Sequence, residues 1–104
     1  MSKNFGQILN QAKKMQEKLQ KLQEELGGRT VEAQAGGGMV SCVVNGKQEI
    51  VSLTISEEVW QEQDRELLED LLLAAVNEGL NKSRDMVQEE MSKVAGIPGL
   101  QLPF

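Results

Sequence analysis

The residues whose type and spacing point most directly to chemistry are four lysines near the start of the chain. Lys14, Lys18 and Lys21 fall at i, i+4 and i+7, so on a helix they form one basic line, with Lys13 beside it. Ammonium groups at helical spacing suit a polyanion backbone, which demands positive charge and no particular base. A weaker group, Lys82, Arg84 and Lys93, is interrupted by Asp85, Glu89 and Glu90. The plain alternative for both groups is a solvated helix face that keeps the protein soluble.

Other candidates for chemistry are fewer. Gly36-Gly37-Gly38 could cradle a phosphate, but such loops lead from a strand into a helix and carry a Lys-Ser/Thr pair. Here the glycines are followed by Met39-Val40 and a second strand pattern, so a hairpin turn is the expected role. Histidine is absent, which removes the commonest general base and metal ligand and every Ser-His or Cys-His pair. Cys42, the single cysteine, rules out an internal disulfide and reads as a small core residue. The acidic run from Glu57 to Asp70 reads as solvated helix starts. Neither catalytic residues nor a metal, a cofactor or a small-molecule substrate is expected.

Positioning the lysines falls to a long first helix. Phe5, Ile8, Ala12, Met15, Leu19, Leu22 and Leu26 repeat at spacings of 3 and 4, a heptad seam that ends at Gly27-Gly28. A seam this narrow suits a partner helix, and Ile8, Ala12, Met15, Leu19, Leu22 and Leu26 are the expected dimer contacts; the alternative is that the same face lies on the chain's own sheet. Strand patterns follow over 29–35, 39–44 and 48–55, the last with Val51, Leu53 and Ile55 on one face. Asn45-Gly46 signals a two-residue hairpin. Ser56 and Asp64 are N-cap candidates for a short turn carrying Val59 and Trp60 and for a second long helix over about 65–94. In that helix Leu68, Leu72, Ala75, Gly79 and Leu80 face the sheet, small Ala75 and Gly79 permit close approach, and Val87, Met91 and Val94 continue the stripe.

These elements predict an α+β fold, α-β-β-β-α, with a three-stranded antiparallel meander flanked by two long helices, as a dimer. Residues 1–95 form one domain and 96–104, broken by Pro98, Gly99 and Pro103, a flexible C-terminal tail. At 104 residues the chain has room for one core, and with three aromatic residues that core lacks bulk. The net charge of −5 conceals a segregation. Residues 1–29 hold six basic against three acidic side chains, and residues 57–70 hold seven acidic against Arg65 alone. No apolar run spans a membrane and the polar N-terminus is unlike a signal peptide, so a cytoplasmic protein with no membrane partner is expected.

Taken in order, "QAKKMQEKLQKLQEEL", "GGGMVSCVVNGKQEIVSLTI", "LLEDLLLAAVNEGLNKS" and the closing "PGLQLPF" resemble the YbaB/EbfC family of bacterial nucleoid-associated DNA-binding proteins along nearly the whole chain. The resemblance implies the α-β-β-β-α fold, a tight homodimer, DNA as partner, residence in the nucleoid and no enzymatic activity. It implies DNA binding through protruding helices at the two ends of the chain. The family's basic positions fall on Lys13, Lys14, Lys18 and Lys21, and further along on Lys82, Arg84 and Lys93. The rival reading is a helical protein-interaction module, its lysines serving solubility alone, without direct DNA binding.

Overall fold

Glycine and capping residues divide the chain where the periodicities change. The computed structural model describes residues 2–95; the expected tail, 96–104, lies outside them. Helix α1 spans Ser2–Gly28 and is followed by β1 (Thr30–Ala35), β2 (Val40–Asn45) and β3 (Ile50–Ile55). Then come α2 (Glu57–Gln61) and α3 (Arg65–Ala95). The strands pair antiparallel in the order β1-β2-β3, so the expected α-β-β-β-α meander is present. Ser56 Oγ accepts the Val59 N–H to open α2, and Asp64 Oδ1 accepts the Leu67 N–H to open α3.

Gly36, Gly37 and Gly38 all have positive φ, at 64°, 66° and 100°, and join β1 to β2 as a turn. The second hairpin differs from the two-residue expectation. Its loop runs from Gly46 to Glu49, and the positive φ of 65° falls on Gln48 rather than on Asn45-Gly46. Asn45 shapes it instead through its side chain, whose Oδ1 accepts the N–H groups of Lys47 and Glu49.

The core lies between the sheet and one side of α3. Ala33, Val40, Cys42, Val44 and Ala75 are buried together, with Val31, Leu68, Leu71, Leu72 and Leu80 packed around them. Fully burying Val40 and Val44 contributes about 1.5–3 kcal/mol for each side chain. Gly79 sets the approach: a Cβ there would lie 2.7 Å from Cys42 Sγ and 2.8 Å from Val44 Cγ2. The thiol of Cys42 donates to the Ala75 carbonyl at 3.1 Å.

Helix α3 sits over β1 and β2 and leaves β3 open, every residue of which is exposed. A register shift between Val43 and Val44 inserts Val51 as an extra residue, so the row sharing the core face is Ile50, Leu53 and Ile55 instead of Val51, Leu53 and Ile55. The molecule extends 73 × 18 × 16 Å, well beyond the roughly 45 Å length of its longest helix. The two long helices are therefore offset end over end, with part of α1 standing clear of the sheet.

Candidate nucleic-acid interface

The last turn of α1 is fastened to the second hairpin. Leu26 is buried, and a Cβ on Gly46 would fall into its carbonyl, so only glycine lets the loop lie this close. The Arg29 N–H donates to the Leu26 carbonyl, and the Gly46 N–H donates to the Arg29 carbonyl. From this anchor α1 runs beside the end of α3. Gln20, Gln23, Leu26, Gly46, Val87 and Met91 line a cleft of about 650 Å³ between them. Arg29 reaches Glu90 at 3.2 Å and closes the junction.

Beyond that junction α1 carries the basic line outward. Lys13, Lys14, Lys18 and Lys21 are all exposed. Among the described residues none of the four lies within ion-pair distance of a carboxylate. Lys14 to Lys21 spans about 10 Å along the helix, and Lys13 projects from another side. The helical backbone fixes the row's spacing, while each lysine stem remains free to adjust its charge.

The basic residues of α3 fare differently. Lys82 donates to the Glu32 carbonyl at 3.1 Å, so its ammonium ties α3 to β1. Lys93 pairs with Glu90 at 3.1 Å, on the same oxygen that meets Arg29. Lys93 first and Arg29 second hold the Glu90 carboxyl below the usual carboxylate range. Arg84 is exposed and reaches Asn81 at 3.4 Å. The structure thus separates a line of unpaired lysines on α1 from a group on α3 that is largely engaged within the chain. The role of Lys82 has no local signature, because its partner is a backbone oxygen 50 residues away. Arg29 was also missed as a clamp, for it stands outside any helical row.

The heptad seam divides along its length. Leu26 is buried, Met15, Leu19 and Leu22 are half-buried, and Ala12, Ile8 and Phe5 are exposed together with Leu9. Cys42 is buried, and that burial pushes its thiol up from the ordinary value. The acidic side chains from Glu57 to Asp70 are exposed, and among the described residues no cluster of three metal-ligating side chains occurs. No helix among them is long and apolar enough to cross a membrane.

The family model described as the YbaB/EbfC DNA-binding family matches residues 1–97. A protein of Syntrophobacter fumaroxidans named as nucleoid-associated is 50% identical over 106 residues, covering 99% of this chain and 96% of its own. Another so named, from Pelotomaculum thermopropionicum, is 50% identical over 103 residues, covering 96% and 98%. Among solved structures, the uncharacterized protein HP0035 of Helicobacter pylori superposes with a TM-score of 0.76 at 26% identity, over 88% of this chain and 97% of that one.

Proposed function

This chain belongs to the YbaB/EbfC DNA-binding family, and from that premise we propose that it is a nucleoid-associated protein holding DNA by the phosphate backbone with little regard to base sequence. The observation that carries the reading is the line Lys14, Lys18 and Lys21, exposed and, among the described residues, unpaired on an arm that leaves the sheet, with Lys13 beside it. Lysines on a helix face supply charge at fixed spacing, and no Asn or Arg cluster stands beside them to read base edges. Arg84 is the residue of α3 best placed to add to the contact. Lys82 and Lys93 contribute less, as DNA would compete with their partners inside the chain.

The net charge of −5 does not oppose this function. Phosphates approaching α1 meet the local excess of lysine, whereas the acid-rich segment belongs to α2 and the start of α3. The protein acts as a homodimer in the cytoplasm, on the nucleoid, with two arms that double the phosphate contacts. It needs neither cofactor nor metal and performs no catalysis. The test is retardation of two unrelated duplexes at low salt. Similar affinities for both are expected, and no retardation of either would favour a protein-interaction role for the helices.

A further inference from the structure

The apolar seam of α1 outlasts its cover. Its inner part, Leu26, Leu22, Leu19 and Met15, is buried or half-buried, whereas Ala12 is exposed and Phe5, Ile8 and Leu9 are 64%, 61% and 47% exposed. These four residues share one side of the helix, recurring at i, i+3, i+4 and i+7. The inner part is covered by the last turns of α3. Leu26 lies at Gly46 and Ser83 at the adjoining Asn45, so the two helices meet at the second hairpin. From there α3 runs outward past Val87 and Met91 while α1 comes in past Gln20 and Gln23, which makes the pair antiparallel.

Helix α3 is described as far as Ala95, with Val94 half-buried. The 73 Å length of the molecule exceeds the roughly 45 Å of α3 by ~28 Å, so the outer part of α1 stands past that point. The residues that follow Ala95 suit the open strip. Pro98 cannot continue a helix, and it biases Ile97 toward an extended backbone. In an extended run Leu100, Leu102 and Phe104, at i, i+2 and i+4, share one side over about 13 Å, against about 10 Å from Ala12 to Phe5 on the helix. Nine residues reach up to ~30 Å, enough to pass from Ala95 to the level of Phe5.

Charge points the same way. Residues 96–104 carry no charged side chain, and residues 4–16 of α1 carry Lys13 and Lys14 and no carboxylate. A neutral apolar segment covers the seam without drawing either ammonium away from a phosphate. We propose that residues 96–104 lie extended along the outer seam of α1 in the same chain, Leu100, Leu102 and Phe104 packing in that order from Ala12 toward Phe5. A helical stretch of about a dozen residues is marginal in water by itself, so this contact keeps the outer arm helical. The brace belongs to the arm whether or not its lysines meet DNA.

Hydrogen exchange on the full chain, read by peptide mass, tests it. Amides of residues 5–14 should exchange at least roughly 10-fold more slowly in the wild type than in the triple variant Leu100→Ser, Leu102→Ser, Phe104→Ser, while those of α3 at 70–85 stay the same. Serine leaves the length of the segment intact. A second measurement reads the contact itself. With Ile8→Cys and Leu102→Cys in one chain, dilute oxidation should close a disulfide at single-chain mass, because the two Cα atoms come within the ~6 Å that such a bond requires. Cys42 is buried and takes no part. Ile8→Cys alone should stay reduced. Equal exchange in the wild type and the triple variant, or no disulfide in the double variant, would overturn the proposal. So would a disulfide that joins two chains, in either cysteine variant, since it assigns the outer seam to a second copy.

Discussion

Ser83 of α3 donates its hydroxyl to the Asn45 carbonyl at 2.6 Å and accepts Gln48 Nε2 at 3.0 Å, while fully buried. This one side chain ties α3 to the second hairpin at the point where the helix leaves the sheet. The same hairpin presents Gly46 to the end of α1, so both helices take their bearing from one loop.

Replacing Ser83 with Ala should lower stability by about 1 kcal/mol, toward the lower end of the range for a lost buried hydrogen bond. The Asn45 carbonyl keeps the Gln48 N–H as a partner, and the exposed Gln48 side chain turns to water. Urea denaturation measures the loss; no change in midpoint would show that the bond orients α3 without stabilising it.

Gly79→Ala sets two effects against each other. Alanine improves helix propensity by about 1 kcal/mol, but its methyl would press on Cys42 Sγ and Val44 Cγ2 in a closed core, typically costing 1–3 kcal/mol. Net destabilisation is expected. In a double-mutant cycle Cys42→Ala should recover part of the loss by removing one of the two clashes. Strict additivity would mean that the helix lifts off the sheet as a body.

Cys42 should behave as packing. Its thiol is buried, bonded to the Ala75 carbonyl and pushed up by desolvation, so thiolate is scarce at neutral pH. A disulfide reagent should label the native protein only as fast as the protein opens, and Cys42→Ala should cost about 1 kcal/mol without altering DNA affinity. Labelling at the rate of a free thiol would reveal access to the core that this packing does not provide.

Much of this architecture was legible in the sequence because its determinants are local. The heptad spacing, the Gly27-Gly28 stop, the glycine turn and the Ser56 and Asp64 caps each act within a few residues. What escaped depends on partners far along the chain. Alternation marked the inner face of β3 but carried no information on which strands α3 would cover, and the Val51 bulge changed the members of that face. Lys82 and Lys93 looked like Lys14 and Lys18 in sequence. Their separation into engaged and free groups required the Glu32 carbonyl and the Glu90 carboxylate to be placed in space.

The Glu90 clamp gives the junction of α1 and α3 a pH dependence of known sign. Its carboxyl titrates lower in the folded chain, through Lys93 and then Arg29, than when unfolded. The contribution is therefore present above the unfolded value of about 4.3 and is lost as pH falls through the lower folded value. Glu90→Gln should have a lower urea midpoint than wild type near neutrality, and the two should converge in acid. The difference should be small because the clamp is solvent-screened. A gap that persists below pH 3 would assign the role of Glu90 to packing.

The lysine line makes the most direct claim on function. If two arms neutralise roughly four to six phosphates, log K should fall against log salt with a slope of about −4 to −5. Changing Lys14, Lys18 and Lys21 together to Gln retains good helix formers, so the arm should persist while most of that slope disappears. Affinity should fall alike on two unrelated duplexes, because phosphate contacts are shared by every sequence. Lys47, which lies over Gly27 at the hairpin and belongs to no row, should matter less when changed to Gln. Lys82→Gln should cost stability through the lost tie to Glu32 more than it costs binding. Retardation at several salt concentrations, alongside circular dichroism of each variant, separates these outcomes. An unchanged slope in the triple variant would move the DNA contact off α1, and a loss confined to one duplex would mean that the arm reads bases as well as charge.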